Sequence, residues 1–143
     1  MPEAFETQVD IDAPPDEVFR HLVDPKAMVT WIGQHAVLEA HPGGRFEIDV
    51  NGVPVRGEYV AVEPPSRVVV TWGMAGSDDL PPGSTEVEFT LVAEGAGTRL
   101  HLVHRNLPES QAPQHAEGWS HFVGRLASVA SGHDPGPDPW ATQ

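Results

Sequence analysis

The sequence predicts an α+β domain in which a twisted antiparallel sheet is covered by one long C-terminal helix. Three observations carry this expectation. Apolar residues recur at every second position through the middle of the chain, they switch to helical spacing near both ends, and 14 glycines and 15 prolines among 143 residues break the strands into short elements. That length makes one compact domain of ordinary size. Bundles and coiled coils, which need long uninterrupted helices, do not suit so many breakers.

The elements follow in order. Val9 and Ile11 alternate with Gln8, Asp10 and Asp12, as in a strand with one dry face. Pro14 and Pro15 suit a first helical turn, and Asp16 and Glu17 complement the positive end of its dipole. Val18, Phe19, Leu22 and Val23 then form the buried stripe, with Arg20 and His21 pointing elsewhere. Asp24-Pro25 repeats the start signal for a second short helix through Met28, Val29 and Trp31 or Ile32, which Gly33 stops.

After Gly33 the period becomes two. Pro42-Gly43-Gly44 is a turn before Phe46, Ile48 and Val50, and Asn51-Gly52 is a type I′ hairpin signal because both residues tolerate positive φ. Val53 to Val62 returns, Pro64-Pro65-Ser66 turns, and Val68, Val70 and Trp72 share one face of the strand from Arg67 to Trp72. A loop from Ala75 to Ser84 leads to Val87, Phe89 and Leu91. The turn Glu94 to Gly97 leads to Thr98, Leu100, Leu102 and His104, making six or seven strands in all. Residues 109 to 131 return to helical spacing, with Trp119, Phe122, Leu126 and Val129 opposite Ser120, Arg125 and Ser128. Gly132 to Gln143 reads as a proline-rich tail that carries Trp140 and either frays or lies along the body.

Composition narrows the function. Eight Lys and Arg against 21 Asp and Glu give a formal charge of -13, the opposite of a surface that displaces counterions from phosphates. No nucleic-acid partner is expected. No apolar run approaches the roughly 20 residues of a spanning helix, and the Met-Pro-Glu-Ala-Phe-Glu start lacks a signal peptide's features. A cytoplasmic protein without a membrane partner is the expectation. Without cysteine there is no disulfide or thiolate chemistry.

Several runs resemble one family in order along the chain. They are Ile11 to Gly33, Gly43-Gly44-Arg45-Phe46, Gly57-Glu58-Tyr59 with Glu63-Pro64-Pro65, Thr71-Trp72, Gly97-Thr98-Arg99-Leu100 with His104, and Gly118-Trp119. The chain resembles the AHSA-type branch of the START-like, or SRPBCC, superfamily, named after activators of a heat-shock chaperone ATPase. The likeness covers roughly residues 5 to 131, and the tail from Asp134 to Trp140 looks like tails of some bacterial members. It implies a helix-grip fold of the birch-pollen-allergen type, with a curved sheet around the C-terminal helix and an apolar cavity between them. The expected organisation is one domain over residues 1–131 and a tail over 132–143. Many relatives carry two adjacent tryptophans where this chain has Trp31-Ile32, so that wall is expected to differ.

Superfamily branches bind lipids, hormones and polyketides, and some catalyse cyclisation or hydrolysis, so the fold alone does not choose a function. The expected function is binding of a small hydrophobic or aromatic ligand between sheet and helix. Trp31, Phe46, Trp72, Phe89, Trp119 and Phe122 fall on inward faces and would line the pocket, or else simply pack the core. His104 follows Leu100 and Leu102 on the inward face, where an imidazole can orient a ligand or be a satisfied core residue. The alternatives are an enzyme acting on a polyketide-like or cyclic substrate with His104 as acid or base, and a protein-interaction or regulatory domain. A chaperone partner is disfavoured, and homodimerisation is left open.

The remaining histidines do not suggest a metal site. His101 faces away from His104, His115 and His121 lie about 120° apart on a helix, and His35 and His41 flank a loop. Ser120 lacks a nucleophile elbow and reads as surface, and Gly95 and Gly97 form a hairpin turn with no helix after it. No cofactor, metal or catalytic residue is assigned. Glu58, Glu86 and Glu88 belong to a solvated outer face.

Overall fold

The structure is a computed structural model that describes residues 3–136, 138 and 139. Seven strands form one antiparallel sheet: β1 (Glu3–Ile11), β2 (His35–Leu38), β3 (Arg45–Val50), β4 (Val53–Glu63), β5 (Arg67–Trp72), β6 (Thr85–Glu94) and β7 (Gly97–Leu107). Their order is β1-β7-β6-β5-β4-β3-β2, so β2 through β7 is a continuous meander whose last strand, β7, pairs with the first, β1. Helices α1 (Pro15–Val23) and α2 (Pro25–Met28) follow β1, and α3 (Ala112–Ala130) closes the chain's path across the sheet. This is the helix-grip fold.

The turns obey the local chemistry. Asn51 and Gly52 have φ of 53° and 87°, and Val50 faces Val53 across the hairpin. A side chain at Gly57 would run into the Thr71 carbonyl, so only glycine lets β4 approach β5 there. Asp24 caps α2 by accepting from the Lys26 N–H at 3.0 Å. The alternating residues of β5, β6 and β7 bury Val68, Val70, Val87, Phe89, Leu100 and Leu102 against α3. Outside, Glu88 accepts from Arg67 on one neighbouring strand and Arg105 on the other, and this pairing holds its carboxyl below the usual range.

Four local readings need correction. β2 is a strand, four residues long, where no alternation could announce it. His21 is buried rather than outward, because its Nδ1 donates back to the Glu17 carbonyl at 2.9 Å and its own carbonyl accepts from Trp31 Nε1 at 3.0 Å. On α3 the buried stripe runs Trp119, Phe122, Val123, Leu126 and Ala130, and Val129 is only half-buried. Arg125 is not on a purely solvated face: its guanidinium donates to the Trp31 carbonyl at 3.2 Å and the Gly136 carbonyl at 2.9 Å.

Through that last contact and the bond from His121 to Asp138 the tail lies along the body, and the His133 N–H donates to the Ser128 carbonyl at 2.9 Å. Trp140 lies outside the described residues. No described helix is long and apolar enough to cross a membrane.

Candidate functional site

A cleft of about 190 Å³ opens between the β3–β4 hairpin and α3. Val50, Val53 and Val55 form the hairpin wall, Ile32 and Met74 close its ends, and Gln114, His115, Gly118, Trp119 and Phe122 form the helix wall. Trp72 from β5 lines the base. None of the lining residues is a Lys, Arg, Asp or Glu. Gly118 leaves the helix surface open at mid-cleft, since a side chain there would meet nothing within 4 Å.

The seven residues singled out in the sequence divide into two groups. Trp72, Trp119 and Phe122 border the cleft. The others are buried away from it. Trp31, just after α2, donates its indole N–H to the His21 carbonyl of α1, and its neighbour Ile32 lines the pocket. Phe46 packs edge-on to Tyr59 with centroids 5.7 Å apart and lies 6.0 Å from Trp72. Phe89 supports Trp119 from below at 6.1 Å. Phe46 and Phe89 therefore support the cleft tryptophans from behind.

His104 is the base of that support, with 0% exposure. Trp119 Nε1 can only donate, so its 3.0 Å bond to His104 Nδ1 makes that nitrogen the acceptor. His104 Nε2 then carries the proton and donates to Thr85 Oγ1 at 2.8 Å, and the Thr85 hydroxyl donates to the Trp72 carbonyl at 2.7 Å. Every polar atom in this chain is matched. Burial, with a smaller contribution from His115, pushes the imidazole down to about 3, so it is neutral at physiological pH. A ligand in the cleft meets Trp72 and Trp119 before it meets His104, and both ring nitrogens are already engaged.

Two polar groups belong to residues that line the cleft, the His115 ring, which the sequence did not single out as a ligand contact, and the indole N–H of Trp72, which it did. His115 packs edge-on to His104 at 5.2 Å and to Trp72 at 6.5 Å. Its Nδ1 donates to the Gln111 carbonyl at 3.0 Å, which leaves Nε2 as a lone-pair acceptor. Burial lowers its pKa despite that backbone bond, so this ring too is neutral. Trp72 Nε1 is buried without a hydrogen-bond partner, and so is Gln111 Oε1. Helical period put His115 on α3, but only the fold shows which strand it faces.

A second, wider groove of about 720 Å³ lies between the α2–β2 connection, the end of α3 and the tail. Its Arg125 is committed to backbone carbonyls. Among the described residues no group of three or more His, Asp or Glu is placed to hold a metal. His115 and His121 do not converge: His115 faces Trp72, and His121 Nε2 bonds Asp138 at 2.8 Å.

Residues 12–131 match the family model described as Activator of Hsp90 ATPase homolog 1-like protein. An AHSA1-like protein from Rhizobium etli is 43% identical, covering 97% of this chain and 89% of that one, with a TM-score of 0.75. DynU16, a putative protein in the dynemicin biosynthetic locus, is 28% identical with a TM-score of 0.79, covering 94% of this chain and 49% of that one. An uncharacterized protein of Schizosaccharomyces pombe is 26% identical over 98 residues, which make up 68% of this chain and 28% of the relative. The chain thus spans less than half the length of these last two.

Proposed function

The chain belongs to the Activator of Hsp90 ATPase homolog 1-like family, and on that premise we propose that it binds a small neutral ligand, one aromatic ring in size, in the cleft between the β3–β4 hairpin and α3. The observation that carries this reading is an apolar cleft whose base residue, Trp72, holds a buried indole N–H with no partner. Leaving such a donor unmatched costs roughly 1–3 kcal/mol, which a ligand acceptor would recover. The neutral His115 ring supplies an acceptor beside it. Trp72 Nε1 is closed to water, so the indole must turn for a ligand hydroxyl to accept from it and donate to His115, and a phenol is the fitting chemical class.

Size supports the same reading. A dry cavity of roughly 150 Å³ is enough to admit benzene, and this cleft measures about 190 Å³. Burying about 100 Å² of ring surface contributes roughly 2.5 kcal/mol and matching the indole donor roughly 1–3 kcal/mol more, before association costs, so affinity of about millimolar order fits. A lipid or fused polyketide would need the hairpin and helix to part. Charge points the same way, because no lining cation is available to balance a carboxylate. That DynU16 comes from a biosynthetic locus is in keeping with a small-molecule role. The enzyme alternative loses its only named residue, since His104 is neutral, enclosed and fully bonded.

Thermal shift and tryptophan emission with phenol, toluene and benzoate test this. Phenol should raise Tm most, toluene less, and benzoate not at all. No response to any of the three would overturn the proposal.

A further inference from the structure

Three elements that carry the cleft are joined by one polar knot, whose Gln34 and Asp138 line the second groove. Asn51, at φ 53° in the β3–β4 turn, accepts from Gln34 Nε2 at 2.8 Å and donates its backbone N–H to Gln34 Oε1 at 2.7 Å. Gln34 stands two residues after the cleft residue Ile32. Asn51 Nδ2 also donates to Asp138 Oδ2 at 3.2 Å, and Asp138 Oδ1 accepts from His121 Nε2 at 2.8 Å. His121 in turn packs edge-on against the cleft residue Phe122 with centroids 4.8 Å apart.

Asp138 is only 8% exposed although it lies far beyond the end of α3. A carboxylate so enclosed is costly unless its oxygens are matched, and here each oxygen holds a different wall. One binds the hairpin tip between Val50 and Val53, and the other binds α3 beside Phe122. We propose that Asp138 is a positioning residue for the cleft: it fastens the hairpin to α3, sets the width between them, and must let go for a ligand to enter or leave. The tail is thereby part of the site rather than an appendage.

The ligand consequence rests on the binding reading above, whereas the fastening itself does not, so two measurements separate them. Hydrogen exchange at the amides of residues 50–53 and 55 reads the fastening without any ligand. Asp138→Ala should speed their exchange roughly tenfold, the loss expected when two charge-assisted bonds go. Asp138→Asn should fall between, because its carbonyl oxygen can still accept from His121 while its amide nitrogen confronts the Asn51 donor. Exchange in β6, far from the knot, should not change. NMR line shapes with phenol then read the consequence, with dissociation faster in the same order.

Exchange at residues 50–53 and 55 within twofold of wild type in both variants would overturn the proposal. So would equal acceleration in β6, which marks general destabilisation. If the hairpin responds but wild type takes up no phenol, the fastening stands and the binding reading falls.

Discussion

His104 and His115 are neighbouring imidazoles with centroids 5.2 Å apart, the first buried and the second half-buried, and they are built for different work. His104 sits under the cleft with both nitrogens engaged, in a chain that runs from the Trp119 indole through Thr85 to the Trp72 carbonyl. His115 borders the cleft with one nitrogen tied to its own helix and the other left as an acceptor. The difference teaches that burial does not make a histidine functional. Unspent hydrogen-bonding capacity next to open space is the better sign.

The largest test of that contrast is on stability. His104→Ala strands the Trp119 and Thr85 polar groups and opens a void, which should cost roughly 3 kcal/mol or more in urea unfolding. His115→Ala leaves no buried partner unmatched and should cost about 1 kcal/mol or less. Equal costs would erase the distinction.

Acid sharpens it next. The folded state holds His104 near 3, below the ordinary 6.5, so the unfolded chain takes up the proton first as pH falls. Stability from this group is therefore fully present above pH 6.5 and is lost progressively as pH drops toward 3. Between pH 6.5 and 4.5 the loss should be roughly 2 kcal/mol, on a slope of about 1.4 kcal/mol per pH unit. His115, also lowered, adds in the same direction. His104→Asn should flatten most of this slope in pH-dependent denaturation. A slope unchanged in that variant would show that other groups carry it.

The smallest effect belongs to the unpartnered donor. Trp72→Phe removes a buried N–H that nothing satisfies, so stability should move by about 1 kcal/mol or less. Phenol affinity, by calorimetry, should still fall roughly fivefold, with toluene affinity nearly unchanged. Parallel losses for both ligands would assign Trp72 to packing alone.

Much of this architecture is legible locally. Alternation placed the faces of β5 to β7, and Asn51-Gly52 announced its hairpin because left-handed backbone admits few residue types. What escaped the sequence depends on partners far along the chain. Nothing near His104 reveals that Thr85 and Trp119 will saturate it, so an inward-facing imidazole looks the same whether idle or active. Of the Trp31-Ile32 step, Ile32 lines the cleft while the Trp31 indole bonds the His21 carbonyl, and nothing in the local pattern says which of the two faces it. Asn51 serves as a turn and as a hub for Gln34 and Asp138, and only the first role has a sequence signature. Asp138 reads as one acid in a proline-rich tail until the fold brings it to His121.

The indole N–H resonances of Trp31, Trp72 and Trp119 offer the most direct measurement. In a phenol titration followed by proton–nitrogen correlation NMR, the Trp72 signal should shift downfield and saturate, as its vacant donor gains an acceptor. Trp31 should stay in place because its indole is already bonded within the helices, and Trp119 should move little because it remains tied to His104. A Trp72 resonance that does not respond at saturating phenol, or a Trp119 resonance that responds in its stead, would contradict the account.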